Sequence, residues 1–133
     1  MVRRVFYWIF TALLAAELLF GGILDVLHKP AALNILHTLG YPAYLCSILG
    51  PAKLLAVCAL LYPRTRLLRE WAYAGVTFNM LGAFCSHIAA HDTIPATVAP
   101  LILLSLAIGS YLLRPAAFRL RSAGEPPASP PPH

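Results

Sequence analysis

Residues 5–27 read VFYWIFTALLAAELLFGGILDVL. A bilayer core about 30 Å thick is crossed by about 20 apolar residues in a helix, and this run is long enough. Arg3 and Arg4 precede it, as basic residues precede a signal peptide. The run, however, outlasts the apolar region of a signal peptide, about 7–15 residues, and lacks a small-x-small cleavage site before Asp25. It reads as a retained transmembrane helix that carries two acids, Glu17 and Asp25.

The rest of the 133-residue chain has the same character. It is 59% apolar and 11% charged, against about 25% charged for a soluble domain. Lipid is the expected solvent. Three further segments are long enough to span, at residues 44–62, 71–90 and 94–113. Pro51 and Lys53 interrupt the second, where Pro51 predicts a kink; Pro63 ends it. Pro100 predicts a bend in the fourth. Thr93 is placed to cap the fourth span, with Pro95 just inside it. Between the first two spans, residues 28–43 hold the segment PAALNILH (30–37), with Leu33, Leu36 and His37 on one helical face. A short interfacial helix is expected there. The expected fold is therefore all-α, a transmembrane four-helix bundle over residues 1–121. Residues 122–133, rich in proline and small residues, form an expected disordered tail.

Charge sets the direction. Arg3, Arg4, Arg64, Arg66, Arg69, Arg114, Arg119 and Arg121 all fall on one side of the four spans, and the other side has only Lys29. Basic loops stay cytoplasmic, so both termini are predicted inside. The net charge of +5 serves topology, and no nucleic-acid partner is expected. Cys46, Cys58 and Cys85 lie in apolar segments without a C-x-x-C, and read as small hydrophobes. Tyr and Trp gather at span ends as an interfacial belt.

Glu17, Lys53 and Asn79 each interrupt a span. Counted from the external ends of their spans they lie 10, 9 and 11 residues in, equal in depth to within about 3 Å. An ionisable group in hydrocarbon is costly and marks a functional site by default. The expected arrangement is a Glu17–Lys53 pair with Asn79 serving either one. A second layer lies further out. Glu17, Gly21 and Asp25 share one stripe, and Asn79, Ala83 and His87 another, so that Asp25, His28, His87, His91 and Asp92 are expected to converge. The two layers outline a polar path from the midplane to the outside. The rival reading is a buried ion pair that only fixes helix packing. His87 and His91 have metal-ligand spacing, but no H-E-x-x-H accompanies them; they are weak candidates, and no metal is assigned.

The order Leu39-Gly40-Tyr41-Pro42, Leu49-Gly50-Pro51-Ala52-Lys53, Tyr62-Pro63, Leu68-Arg69-Glu70-Trp71-Ala72-Tyr73-Ala74-Gly75 and Gly82-Ala83-Phe84-Cys85-Ser86-His87 closely resembles the DoxX-like family of small bacterial membrane proteins. The resemblance implies a four-helix transmembrane bundle in which Glu17, Lys53 and His87 hold recurrent polar positions. It implies no reaction. The family takes its name from a subunit associated with a thiosulfate:quinone oxidoreductase. By that analogy a quinone is a possible cofactor, and no cofactor motif is present.

The expectation is a multi-pass protein of the bacterial inner membrane, more an accessory or scaffold subunit than an enzyme. Its partners would be the lipid bilayer and a membrane protein or a second copy of itself. The alternatives are a quinone-linked redox subunit and a carrier of a small solute or protons. Orientation is directly testable: alkaline phosphatase fused after Leu113 should be inactive, since the enzyme matures only outside the cytoplasm. High activity would reverse the orientation or change the span count.

Overall fold

The computed structural model describes residues 1–62, 64, 66–121 and 124. The expected role of Pro63 in ending the second span and the expected disorder of residues 122–133, apart from Gly124, fall outside the described residues. Among the described residues the chain is all-helical. The helices are α1 (Val2–Val26), α2 (Pro30–Thr38), α3 (Leu45–Leu61), α4 (Arg66–Ala89) and α5 (Ile94–Leu113), followed by a short 3-10 turn, Ala116–Phe118.

Each helix follows from its local sequence. In α1 the buried residues Tyr7, Thr11, Leu14, Ala15, Leu18, Gly22 and Asp25 recur at three- and four-residue steps, one face of a helix. The short helix α2 starts on Pro30, whose missing N–H costs nothing in a first turn. It buries Ala32 and Leu36 against Cys46, Leu24 and Leu45. Helix α3 runs unbroken through Pro51, and α5 through Pro100. At the start of α5, Thr93 is the N-cap residue but makes no side-chain cap. Asp92 Oδ1 accepts the Thr93 N–H instead, at 2.7 Å.

Two boundaries differ from expectation. The first helix begins at Val2 and α4 at Arg66, five residues before Trp71. Leu67 and Leu68 are good helix formers, and long arginine side chains reach polar surroundings from within a helical turn. Both α1 and α4 end in the same way. His28 and His91 take left-handed backbone, with φ of 49° and 51°. Lys29 N–H then bonds Leu24 C=O, and Asp92 N–H bonds His87 C=O. These are Schellman closures, in which a histidine fills the position usually taken by glycine.

Helix α1 packs on α3 and α5, and α4 packs on α5 and α3; α2 lies on α1 and α3. The main core comprises Leu14, Leu18, Leu60, Tyr73, Met80 and Ala107 with their neighbours. The outer surface is equally apolar. Phe6, Phe20, Leu55, Trp71, Phe78 and Ile102 are all exposed. Two helices, α1 and α5, are long and apolar enough to cross a membrane; α3 is apolar but has 17 residues. Only 17% of the most apolar stretch of α5 is buried, which is not the burial of a soluble protein's core helix.

The tightest helix contact is made by Gly50. A Cβ there would lie 2.7 Å from Val26 Cγ2 and 2.8 Å from the Val26 backbone N. The backbone nitrogen cannot rotate away, so Gly50→Ala must part α1 from α3. Overpacking of this kind costs about 1–3 kcal/mol. Thermal unfolding in mild detergent should show a lowered midpoint for Gly50→Ala; an unchanged midpoint would mean that the two helices have slack here.

Candidate functional site

Gly50 also sets the level of Lys53. One turn along α3 from Gly50, Lys53 lies beside the two small residues of α1, its Cβ 3.2 Å from where a Gly22 Cβ would be. Its Nζ lies 3.5 Å from where a Gly21 Cβ would be. From there the ammonium reaches Asp25 and donates to Oδ2 at 2.6 Å. Asp25 is buried, and its other oxygen lies 3.8 Å from the Cys46 thiol, which donates to it.

This corrects the expected Glu17–Lys53 pair. Glu17 is exposed on α1, one turn beyond Gly21, and its carboxylate makes no hydrogen bond or ion pair with the described residues. Counting from the span ends assumed that α1 and α3 begin at one depth. The close approach at Gly50 shifts α3 by about one turn, so Lys53 meets Gly21 and Gly22 and takes the nearer acid above them.

Asn79 is half-buried on α4 and does not bond Glu17 or Lys53. It lines, with Lys53, a groove between α3 and α4 of about 580 Å³. The walls are small or apolar, among them Ala52, Ala56, Ala72 and Gly75. Leu55, Cys58, Trp71 and Gly75 are exposed, so the groove opens sideways on the outer surface of the helices. It runs from Lys53 and Asn79 to Tyr62, Leu68 and Trp71. That is towards the basic end, whereas the expected polar path led to the opposite end. An apolar groove with two hydrogen-bond donors at its inner end suits an elongated apolar molecule with an acceptor at its head.

The expected outer cluster divides into separate pairs. His87 is buried, and its Nδ1 lies 2.8 Å from Asp92 Oδ2. The Thr93 backbone N–H, and then His87, hold the Asp92 carboxyl below the usual carboxylate range. His28 Nε2 lies 3.0 Å from Ser47 Oγ, and the Tyr41 hydroxyl 2.7 Å from Ser86 Oγ. His91 is exposed. Among the described residues no three His, Cys, Asp or Glu side chains gather as a metal site would require.

At the basic end lies a buried polar cluster that the sequence reading missed. Arg69, assigned there to a loop, is 1% exposed within α4. Its Nη2 donates to the Tyr62 carbonyl at 2.8 Å, and its guanidinium lies 4.4 Å from the Phe118 ring centroid. Beside it, Ser110 Oγ lies 2.6 Å from Thr11 Oγ1 and 2.7 Å from the Tyr73 hydroxyl. Arg114 is paired with Glu70 and stacks on Tyr111. The available signal was helical spacing: Arg69, Ala72, Tyr73 and Val76 form one face.

The sequence profile of the DoxX-like family matches residues 9–110. The match covers most of the chain and every element of the groove, and the protein belongs to that family. No curated protein and no solved structure matches the chain.

The Lys53–Asp25 pair has a direct test. Removing one partner of a buried pair costs about 3–5 kcal/mol, because the other charge is left alone. Lys53→Met should lower the yield of folded protein in membranes, and adding Asp25→Asn should restore much of it. Adding Glu17→Gln instead should restore nothing. Rescue by Glu17→Gln alone would return Lys53 to Glu17.

Proposed function

We propose that the chain is a four-span protein of the bacterial inner membrane, with both termini inside, whose α3–α4 groove binds a lipid-soluble molecule. The observation that carries this reading is the groove itself. Its long axis is apolar and open sideways, and Lys53 and Asn79 stand at its inner end. Family membership and the apolar surfaces of α1 and α5 support the membrane setting. A ligand would enter from the hydrocarbon, where no water need be displaced. Asn79 would give its amide N–H, and Lys53 an N–H not directed at Asp25, to a carbonyl or anionic head. A quinone has such a shape and such acceptors, and is one member of this class.

Glu17 favours a second reading, the accessory subunit. It is an exposed acid midway along α1, surrounded by exposed Leu13 and Phe20. An ionisable group at such depth needs a partner, and another membrane subunit would supply one.

Gly75→Leu tests the first reading. Gly75 lines the groove, and a Cβ there meets no atom within 4 Å, so the new side chain fills the groove without moving a helix. Small molecules extracted from protein purified in mild detergent should include one retained by the wild type. Gly75→Leu and Asn79→Leu should each reduce its occupancy, by about tenfold for loss of a buried hydrogen bond or of the space itself. Equal retention by both variants would dismiss the groove as a binding site.

A further inference from the structure

At the basic end, among the described residues, buried donors outnumber acceptors. Arg69 is always charged and almost wholly buried. Two of its three nitrogens, Nε and Nη1, have no hydrogen-bond partner. The Tyr7 hydroxyl, also fully buried, makes no well-aligned hydrogen bond either, although it lies beside the Tyr73 hydroxyl. Phe118 joins the two, lying over the guanidinium and 5.9 Å from the Tyr7 ring. The described acids are elsewhere. Glu70 pairs with Arg114, Asp25 with Lys53 and Asp92 with His87, and Glu17 is exposed in mid-helix. Glu125 lies outside the described residues. A buried charge persists when it is paired and hydrogen-bonded, and Arg69 has one neutral carbonyl.

We propose that Arg69 and Tyr7 form an oxyanion site whose ligand is a phosphate group, carried by an anionic lipid or free in solution. Arginine suits phosphate through charge and several directed N–H groups. The location agrees. Arg69 lies in the first turns of α4 and Tyr7 in the first turns of α1, and Arg3, Arg4, Arg66 and Arg119 lie nearby in sequence on the same side. If the helices span as proposed above, this is the depth of lipid phosphates on the cytoplasmic leaflet. The site is separate from the α3–α4 groove, and free phosphate can test it whatever the groove binds. Phe118 closes it from outside. That ring belongs to a three-residue 3-10 turn beyond α5, anchored by its contacts with Tyr7, Trp8 and Arg69. Lifting this turn uncovers the guanidinium without parting the long helices.

The test uses the full chain in a neutral maltoside detergent, with inorganic phosphate and phosphatidylglycerol as separate probes and phosphatidylcholine as control. Native mass spectrometry counts bound lipid, and the unfolding midpoint follows phosphate. The wild type should retain phosphatidylglycerol over phosphatidylcholine, or gain midpoint with inorganic phosphate. Phosphatidylglycerol that phosphate does not displace identifies a lipid headgroup, and displacement identifies a site open to the free anion. Tyr7→Phe, which removes one oxygen, should weaken binding by about tenfold, and Arg69→Gln should abolish it. Should Arg69→Gln fail to fold, Tyr7→Phe and Phe118→Ala carry the test, the latter binding at least as tightly as the wild type because only the cover is lost. Absence of any response to both probes in the wild type would overturn the proposal. So would an affinity in Tyr7→Phe within twofold of the wild type.

Discussion

The close approach of α3 to α1 at Gly50 governs the interior of this protein. In lipid, helices gain little from burying apolar surface against one another, since the solvent is equally apolar. Close packing of small residues and interhelical polar contacts must hold them. Gly50 against Val26, with Gly21 and Gly22 against the stem of Lys53, supplies the packing. Lys53 and Asp25 supply the polar contact. The pair adds little net stability, since desolvation offsets the attraction. What it adds is register: a slip of one turn would leave Asp25 without its cation.

That register also explains the groove. Lys53 is drawn towards α1, and α3 lines the groove largely with small residues, Ala52, Ala56, Cys58 and Ala59, beside Leu49 and Leu55. Across from them α4 offers Ala72 and Gly75. Small residues on both walls can bring two helices together, as Gly50 does for α1 and α3. Between α3 and α4 the approach is looser; of the four neighbouring pairs of long helices this one packs least. The unfilled volume follows from small side chains without close backbone contact.

Much of the helical layout was legible. Run length placed four long helices, and Pro30, Thr93 and Pro95 marked two helix starts. Lys53, Asn79 and Asp25 were recognisable as polar residues where polarity is costly. Their pairing was not legible, because depth counted along each segment omits the offset between helices. That offset rests on Gly50, whose sequence neighbourhood suggests a proline kink rather than a contact. Arg69 was hidden for a different reason. An arginine beside other arginines reads as a loop charge, and only the early start of α4 turns it inward. The histidine-capped ends of α1 and α4 were hidden as well, since glycine is the residue one looks for there.

The two ends of the protein differ in how their polar groups are satisfied. At the end of α1 and α4 near His28 and His91, polar side chains meet in pairs: Asp25 with Lys53, His87 with Asp92, His28 with Ser47, Tyr41 with Ser86. Each pair matches a donor to an acceptor, and the set closes on itself. At the basic end Arg114 has Glu70, but two nitrogens of Arg69 have no acceptor among the described residues, and the Tyr7 hydroxyl makes no well-aligned bond. Buried donors without acceptors are rare, because each forfeits the hydrogen bond that water would give. A fold stabilised only from within would resolve that imbalance through sequence, by an acid near Arg69 or a phenylalanine at Tyr7. The chain has instead placed Glu70 on the neighbouring arginine and kept the tyrosine. The imbalance is local, is positive in sign, and lies beneath a single aromatic ring, so chemistry from outside the chain is the simplest means of completing it.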